Sequence, residues 1–183
     1  MCTSTAMRLS LLVAIVAGML SLGIAIPAAS ADTTGITAAT ITVQGGFLAI
    51  TVPADAGNLG TITNSVGGGT ISGPLGQLQV SDARSAAAGS GWVASAISSA
   101  FTPPAGPAIA ASAVGYTAGP ITKVGTATYT ANNPVALTGV AAVVTATGIT
   151  GDNSATWNPT INVAVPGGMA AGVYSATVTH SVV

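Results

Sequence analysis

The chain has 183 residues, of which only 4 % are charged: three Lys or Arg and four Asp or Glu, for a formal net charge of −1. So few cations cannot form the basic face of a nucleic-acid binder or a polybasic membrane patch. Hydrophobic residues make up 49 % but aromatic ones only 4 %, so solubility must rest on Thr, Ser, Asn and Gln, and the weak charge repulsion favours association.

Met1–Arg8 carries one positive side chain, Leu9–Ala28 is almost wholly apolar, and Ala29-Ser30-Ala31 precedes Asp32. Charged start, apolar middle and small-x-small site predict a secretory signal peptide over residues 1–31, cleaved after Ala31. About twenty apolar residues could instead be retained as a membrane helix. The cleavage site and the abrupt polarity shift favour removal, so the expected chain is secreted and has no membrane attachment. The single cysteine, Cys2, lies ahead of the apolar run. The remainder, Asp32–Val183, has the length of one domain and must be held by burial and sheet hydrogen bonds, not disulfides.

That remainder is rich in Ala, Gly, Thr and Val, and no long segment keeps the three-to-four apolar period of a helix. Ile36–Val43 reads as a first strand, Gln44-Gly45-Gly46 as a turn, and Phe47–Val52 as the return, with Leu48, Ile50 and Val52 inward: an opening hairpin. Pro53–Asn58 is loop. Within the Gly- and Thr-rich Leu59–Ile71, Gly67-Gly68-Gly69 reads as turn or bulge, because a phosphate loop needs a following helix and usually a lysine. Leu75–Ser81 is a strand with Leu78 and Val80 inward, Asp82–Gly91 a polar connection, and Gly91–Ser98 a strand carrying Trp92.

Phe101–Gly106 is a loop with two prolines. Ala108–Tyr116 is Ala-rich enough for a helical turn but too short to stand as a helix. Ile121–Thr130 alternates again, and Asn132-Asn133-Pro134 is a turn. Leu137–Thr147 is apolar on both faces over Val140–Val144, which suits a covered central strand. Gly151-Asp152-Asn153 reads as a tight turn into a closing hairpin. In its first strand Pro159, Ile161, Val163 and Val165 oppose Asn158, Thr160 and Asn162. In its second, Tyr174, Ala176, Val178, His180 and Val182 oppose Val173, Ser175, Thr177, Thr179 and Ser181. Roughly eight to ten short strands with such spacing predict an all-β, single-domain antiparallel sandwich, preferred to a barrel.

The residues for chemistry are sparse. His180 is the only histidine, sits mid-strand, and no Gly-x-Ser-x-Gly elbow accompanies it. It reads as a structural histidine beside Tyr174 and Val178 rather than a catalytic base. The aspartates occupy separate loops or termini, without the pairing that glycosidases use. With no cysteine beyond Cys2 and one histidine, a transition-metal site lacks ligands. Asp152 beside Asn153 could touch calcium, but an Asp-Asn turn uses the same groups without metal. A non-enzyme without catalytic, cofactor or metal residues is therefore expected. Trp92 and Trp157 are open to two readings: core packing, or an exposed stacking platform for a glycan. Asp82 and Arg84 suggest a loop-fixing ion pair. Gly172-Val173-Tyr174 resembles a tyrosine corner, whose hydroxyl ties a loop back to the sandwich.

Two stretches resemble a known family. Leu78-Gln79-Val80-Ser81-Asp82-Ala83-Arg84, then a small-residue loop and Gly91-Trp92-Val93-Ala94-Ser95, is similar to the first half of a WxL domain, in which V-x-D-x-R-G leads to G-W-x-L. Tyr174–Val182 resembles the second half, Y-x-x-x-L-T-W-x-L. Ala94 and Val182 stand where the family has Leu, and His180 where it has Trp. The resemblance implies a Gram-positive cell-surface protein attached non-covalently to cell-wall peptidoglycan. Trp92 would carry over directly as a binding residue and His180 as an aromatic stand-in, with Tyr174, Asp82 and Arg84 from the same motifs. The expected partner is thus peptidoglycan or another surface glycan. The competing expectation is a structural protein that self-associates, or joins a partner surface protein, through edge strands.

Overall fold

The computed structural model describes residues 37–183; the expected signal peptide and Ile36 lie outside them. Eight strands follow in chain order: β1 (Leu48–Thr51), β2 (Gly69–Pro74), β3 (Leu78–Ser98), β4 (Val114–Thr117), β5 (Ile121–Ala131), β6 (Ala141–Trp157), β7 (Thr160–Val165) and β8 (Val178–Val182). The one helical piece among the described residues is a single 3-10 turn, Ala111–Ala113. It resolves the ambiguous Ala108–Tyr116 stretch into a turn that leads into β4.

All pairings are antiparallel, and they build two sheets. The larger runs β1-β3-β6-β5, with β8 also on β3; the smaller runs β2-β7-β4. β1 takes Gln79–Asp82 of β3 and β8 takes Ala94–Ser98, so both flank β3 on the side away from β6. One core joins the sheets, with Leu78, Val80, Val143, Val144, Ile149 and Trp157 from the larger and Val114, Tyr116, Ile161 and Val163 from the smaller. Each fully buried Leu, Ile or Val contributes about 1.5–3 kcal/mol. The all-β sandwich class expected from alternation is therefore present.

Several local expectations are overturned. Thr37–Val43 forms no strand, with Ile41 91 % and Val43 84 % exposed. The opening hairpin is absent, and β1 pairs with β3 instead. The expected connection Asp82–Gly91 and the two strands beside it form one strand, β3. Opposite it, Gly151-Asp152-Asn153 is not a turn but part of β6. Gly151 takes φ +70° there, which lets the strand bulge without ending. The closing hairpin does not exist either: β7 and β8 belong to different sheets. Alternation shows which face a residue takes, not which strand it pairs with. Later in the chain the face assignments hold: every second residue from Tyr174 to Val182 is half-buried, and Ile161 and Val163 are buried, whereas Val52, expected inward, is 43 % exposed. β6 lies inside its sheet between β3 and β5, but it is not covered on both faces as expected: Val140 before it and Ala142 within it are exposed, while Val143 and Val144 are buried.

Candidate functional site

The first motif folds into a polar staple at the middle of the larger sheet. Between the pairs Asp82↔Asn153 and Trp92↔Ala146, β3 advances ten residues where β6 advances seven. The surplus is thrown outward as an exposed excursion, and the side chains at its two ends are tied together below it. Arg84 donates from Nε to Asp82 Oδ1 at 2.8 Å and from Nη2 to Oδ2 at 2.9 Å, a two-point ion pair. Asn153 Nδ2 donates to the same Oδ2 at 3.3 Å. Asn153 Oδ1 in turn accepts from Trp92 Nε1 and from the Tyr129 hydroxyl, each at 3.1 Å. The rings of Trp92 and Tyr129 lie 5.7 Å apart, tilted by 52°. Ser85, in the left-handed region at φ 54°, is held by its N–H to Asp152 Oδ1 at 2.9 Å.

The electrostatics follow from this packing. The Arg84 guanidinium holds the Asp82 carboxyl below the usual carboxylate range, and Asp82 raises Arg84 in return. Burial pushes the Tyr129 hydroxyl up, with a further contribution from the Asp82 charge. Asp82 is 1 % exposed and Trp92 2 %. The staple is thus an internal fastening in a strand, not a surface loop pair. The stacking-platform reading of Trp92 and Trp157 gives way to core packing, since Trp157 is also only 2 % exposed and donates Nε1–H to the Tyr116 hydroxyl at 2.9 Å.

The second motif lies apart from these contacts. His180 faces Ala96 across the β8–β3 pairing and sets its ring against Tyr116 of the smaller sheet, 5.9 Å between centroids at 60°. Its aromatic neighbour is therefore Tyr116, where the sequence suggested Tyr174. Its buried Nε2 has no hydrogen-bond partner, and burial pushes the imidazole down to about 4. Burial also lifts the Tyr116 hydroxyl well above its ordinary range. Tyr174 donates its hydroxyl to the Ala170 carbonyl at 2.8 Å, which is the tyrosine-corner geometry. Of the five motif residues, Asp82, Arg84 and Trp92 are brought together; His180 and Tyr174 are not part of that group.

The outer face of the smaller sheet carries a different arrangement. Asn162 on β7 accepts from Ser72 Oγ on β2 at 2.8 Å and donates Nδ2–H to Thr117 Oγ1 on β4 at 3.1 Å. This amide–hydroxyl relay crosses all three strands. It borders an open groove of about 480 Å³, lined among others by Thr70, Ser112, Asn133 and Val135 and by no charged side chain. Gly115, opposite Asn162, forms part of the floor; a Cβ there would lie 3.4 Å from the Val135 carbonyl oxygen. Val135 itself is 89 % exposed at the rim. Alternation already set Asn162 on a solvent face, but the relay needs Ser72 and Thr117, which are remote in sequence. Among the described residues no cluster of His, Cys, Asp or Glu could hold a metal ion, and no helix is long and apolar enough to cross a membrane. The chain matches no protein-family model, no curated protein and no solved structure.

Proposed function

We propose that the chain is a non-catalytic secreted protein of the cell surface that attaches non-covalently to cell-wall peptidoglycan or a related surface glycan. The observation that carries this reading is the uncharged groove beside the Ser72–Asn162–Thr117 relay. A glycan strand is dense in hydroxyl donors and acceptors, and amide and hydroxyl groups match it without the desolvation penalty of a charge. The exposed Val135 adds an apolar rim for a sugar face. The export signal and the resemblance to WxL domains support the same reading. In it Trp92, Asp82 and Arg84 act through the fold, as the buried staple of a protein whose contact surface lies on the other sheet.

Sedimentation with purified peptidoglycan tests this. Asn162→Ala removes the middle of the relay and is expected to cut retention by about tenfold, equivalent to about 1.4 kcal/mol. Trp92→Phe, which keeps a buried ring, is expected to be retained like the wild type. Equal retention of the Asn162→Ala and wild-type chains would place binding elsewhere. A second reading, self-association through sheet edges, is favoured by one observation: among the described residues β5 ends its sheet and has no partner on its outer side.

A further inference from the structure

We infer that the extended segment Thr37–Gln44 of one copy adds as a strand to the outer edge of β5 in a second copy, over Ala127–Thr130. The inference rests on the self-association reading and names its donor and acceptor. The donor is a strand-forming sequence left without a sheet. Thr37–Gln44 alternates Ala39, Ile41 and Val43 with Thr40, Thr42 and Gln44, yet every residue of it is exposed. Among the described residues no backbone bond outside regular structure involves it; the first, Gly46 N–H to the Ala83 carbonyl, lies after it. An exposed alternating segment with two bare aliphatic side chains has the pattern of a half-buried strand that lacks its other half.

The acceptor is the mirror case. β5 is paired along one side only, by β6, and Ile121–Ala131 makes no backbone hydrogen bond beyond that pairing among the described residues. Its two halves differ. The register slips between Val124 and Thr126 and again between Thr126 and Thr128, and this bulge, with the Lys123 charge just before it, guards that half against added strands. From Thr128 onward the pairing with β6 is regular. Ala127, at the end of the slip, and Tyr129 are half-buried on the core face, while Thr126, Thr128 and Thr130 stand exposed on the other. An antiparallel donor with Ile41 opposite Tyr129 sets Val43 over Ala127, and so extends the core face. The same register sets Thr42 against Thr128 and Thr40 against Thr130, hydroxyl against hydroxyl. A slip by one residue would put Ile41 and Val43 on the solvent face, so the alternation selects this register.

The donor belongs to another copy because of where it is tethered. Gly46 is fastened to Ala83 on the β1 side of β3, with both β3 and β6 between it and β5. A second copy offers its β5 without the segment having to pass over a sheet face. With a net charge of −1, little repulsion opposes the approach.

Two single variants of the processed chain from Asp32 on, Thr42→Cys and Thr128→Cys, test this directly, because that chain has no cysteine of its own. Under mild oxidation the mixture is expected to give a cross-linked dimer, and each variant alone is expected to stay uncross-linked. Light scattering should show concentration-dependent association, weakened about tenfold or more when residues 37–44 are removed. Self-linking of Thr128→Cys alone would mean β5 paired with β5, which keeps self-association but rejects the donor. Self-linking of Thr42→Cys alone rejects the acceptor. An uncross-linked, strictly monomeric mixture at high concentration overturns both the inference and the reading beneath it.

Discussion

The two indoles sit at contrasting places. Trp157 lies where both sheets meet: it pairs across β6 with Leu78 and Ile121, and its single polar atom reaches Tyr116 of the smaller sheet. Trp92 finds its polar partner within the larger sheet: its Nε1–H donates to Asn153 of β6, whose amide also accepts from Tyr129 of β5 and donates to Asp82 of β3 itself. Where a second layer covers the sheet, apolar contact and one hydrogen bond suffice. Where β3 swings outward, the sheet closes itself with a network in which every buried donor and acceptor is met. In a chain with 4 % charged residues, the ion pair found among the described residues sits at this irregular place in β3.

The largest expected effect tests whether the two ends matter alike. Trp157→Ala and Trp92→Ala should each cost about 3–5 kcal/mol in urea unfolding. Against phenylalanine they should part, since Asn153 keeps Tyr129 as a donor after Trp92→Phe. Acid should separate the ends next. The folded His180 lies below its ordinary value, so the unfolded chain takes up its proton first. Stability is then lost as pH falls from about 6.5 to about 4, by up to about 3 kcal/mol. Asp82 is also depressed, but its contribution is present above its unfolded value near 3.8 and is lost only below that. The Trp157 end should therefore respond at higher pH than the Trp92 end, and His180→Phe should flatten the first part of a stability–pH curve.

Smaller still is Asp82→Ala at neutral pH, expected at about 2–3 kcal/mol because Asn153 and Arg84 lose their acceptor. The cost stays below that of a fully buried pair, as the Arg84 side chain is 38 % exposed. The smallest is Tyr174→Phe, which removes the exposed hydrogen bond to Ala170 and should cost about 0.5–1 kcal/mol by the same unfolding measurement.

Much of the fold was legible where period-two alternation was long and clean. The half-buried face through Val178, His180 and Val182 and the buried Ile161 and Val163 follow from it, whereas the interior place of β6 was signalled by the apolar run Val140–Val144. Pairing was not legible. The residues between Val165 and Val173 read as a hairpin turn, and only the three-dimensional arrangement shows the chain crossing between sheets there. The staple was half visible: Asp82 and Arg84 are two residues apart and suggest an ion pair, but Asn153 lies 71 residues from Asp82. Glycine punctuation misled at Gly151, because a left-handed glycine serves a bulge as well as a turn. The relay around Asn162 joins three strands through side chains that are individually unremarkable, and no local pattern marks it.

The outward excursion of β3 has a practical meaning for protein engineering. Its ends are anchored, by the carboxylate–guanidinium pair on one side and by the indole on the other, while Ala87, Ala88 and Gly89 at its crest face solvent. A peptide grafted at the crest would lengthen a detour that already exists and leave the alternation of both flanks untouched. One residue added to β6 directly opposite would turn every following side chain over. The same sheet thus offers a permissive splice point and a forbidden one on adjacent strands.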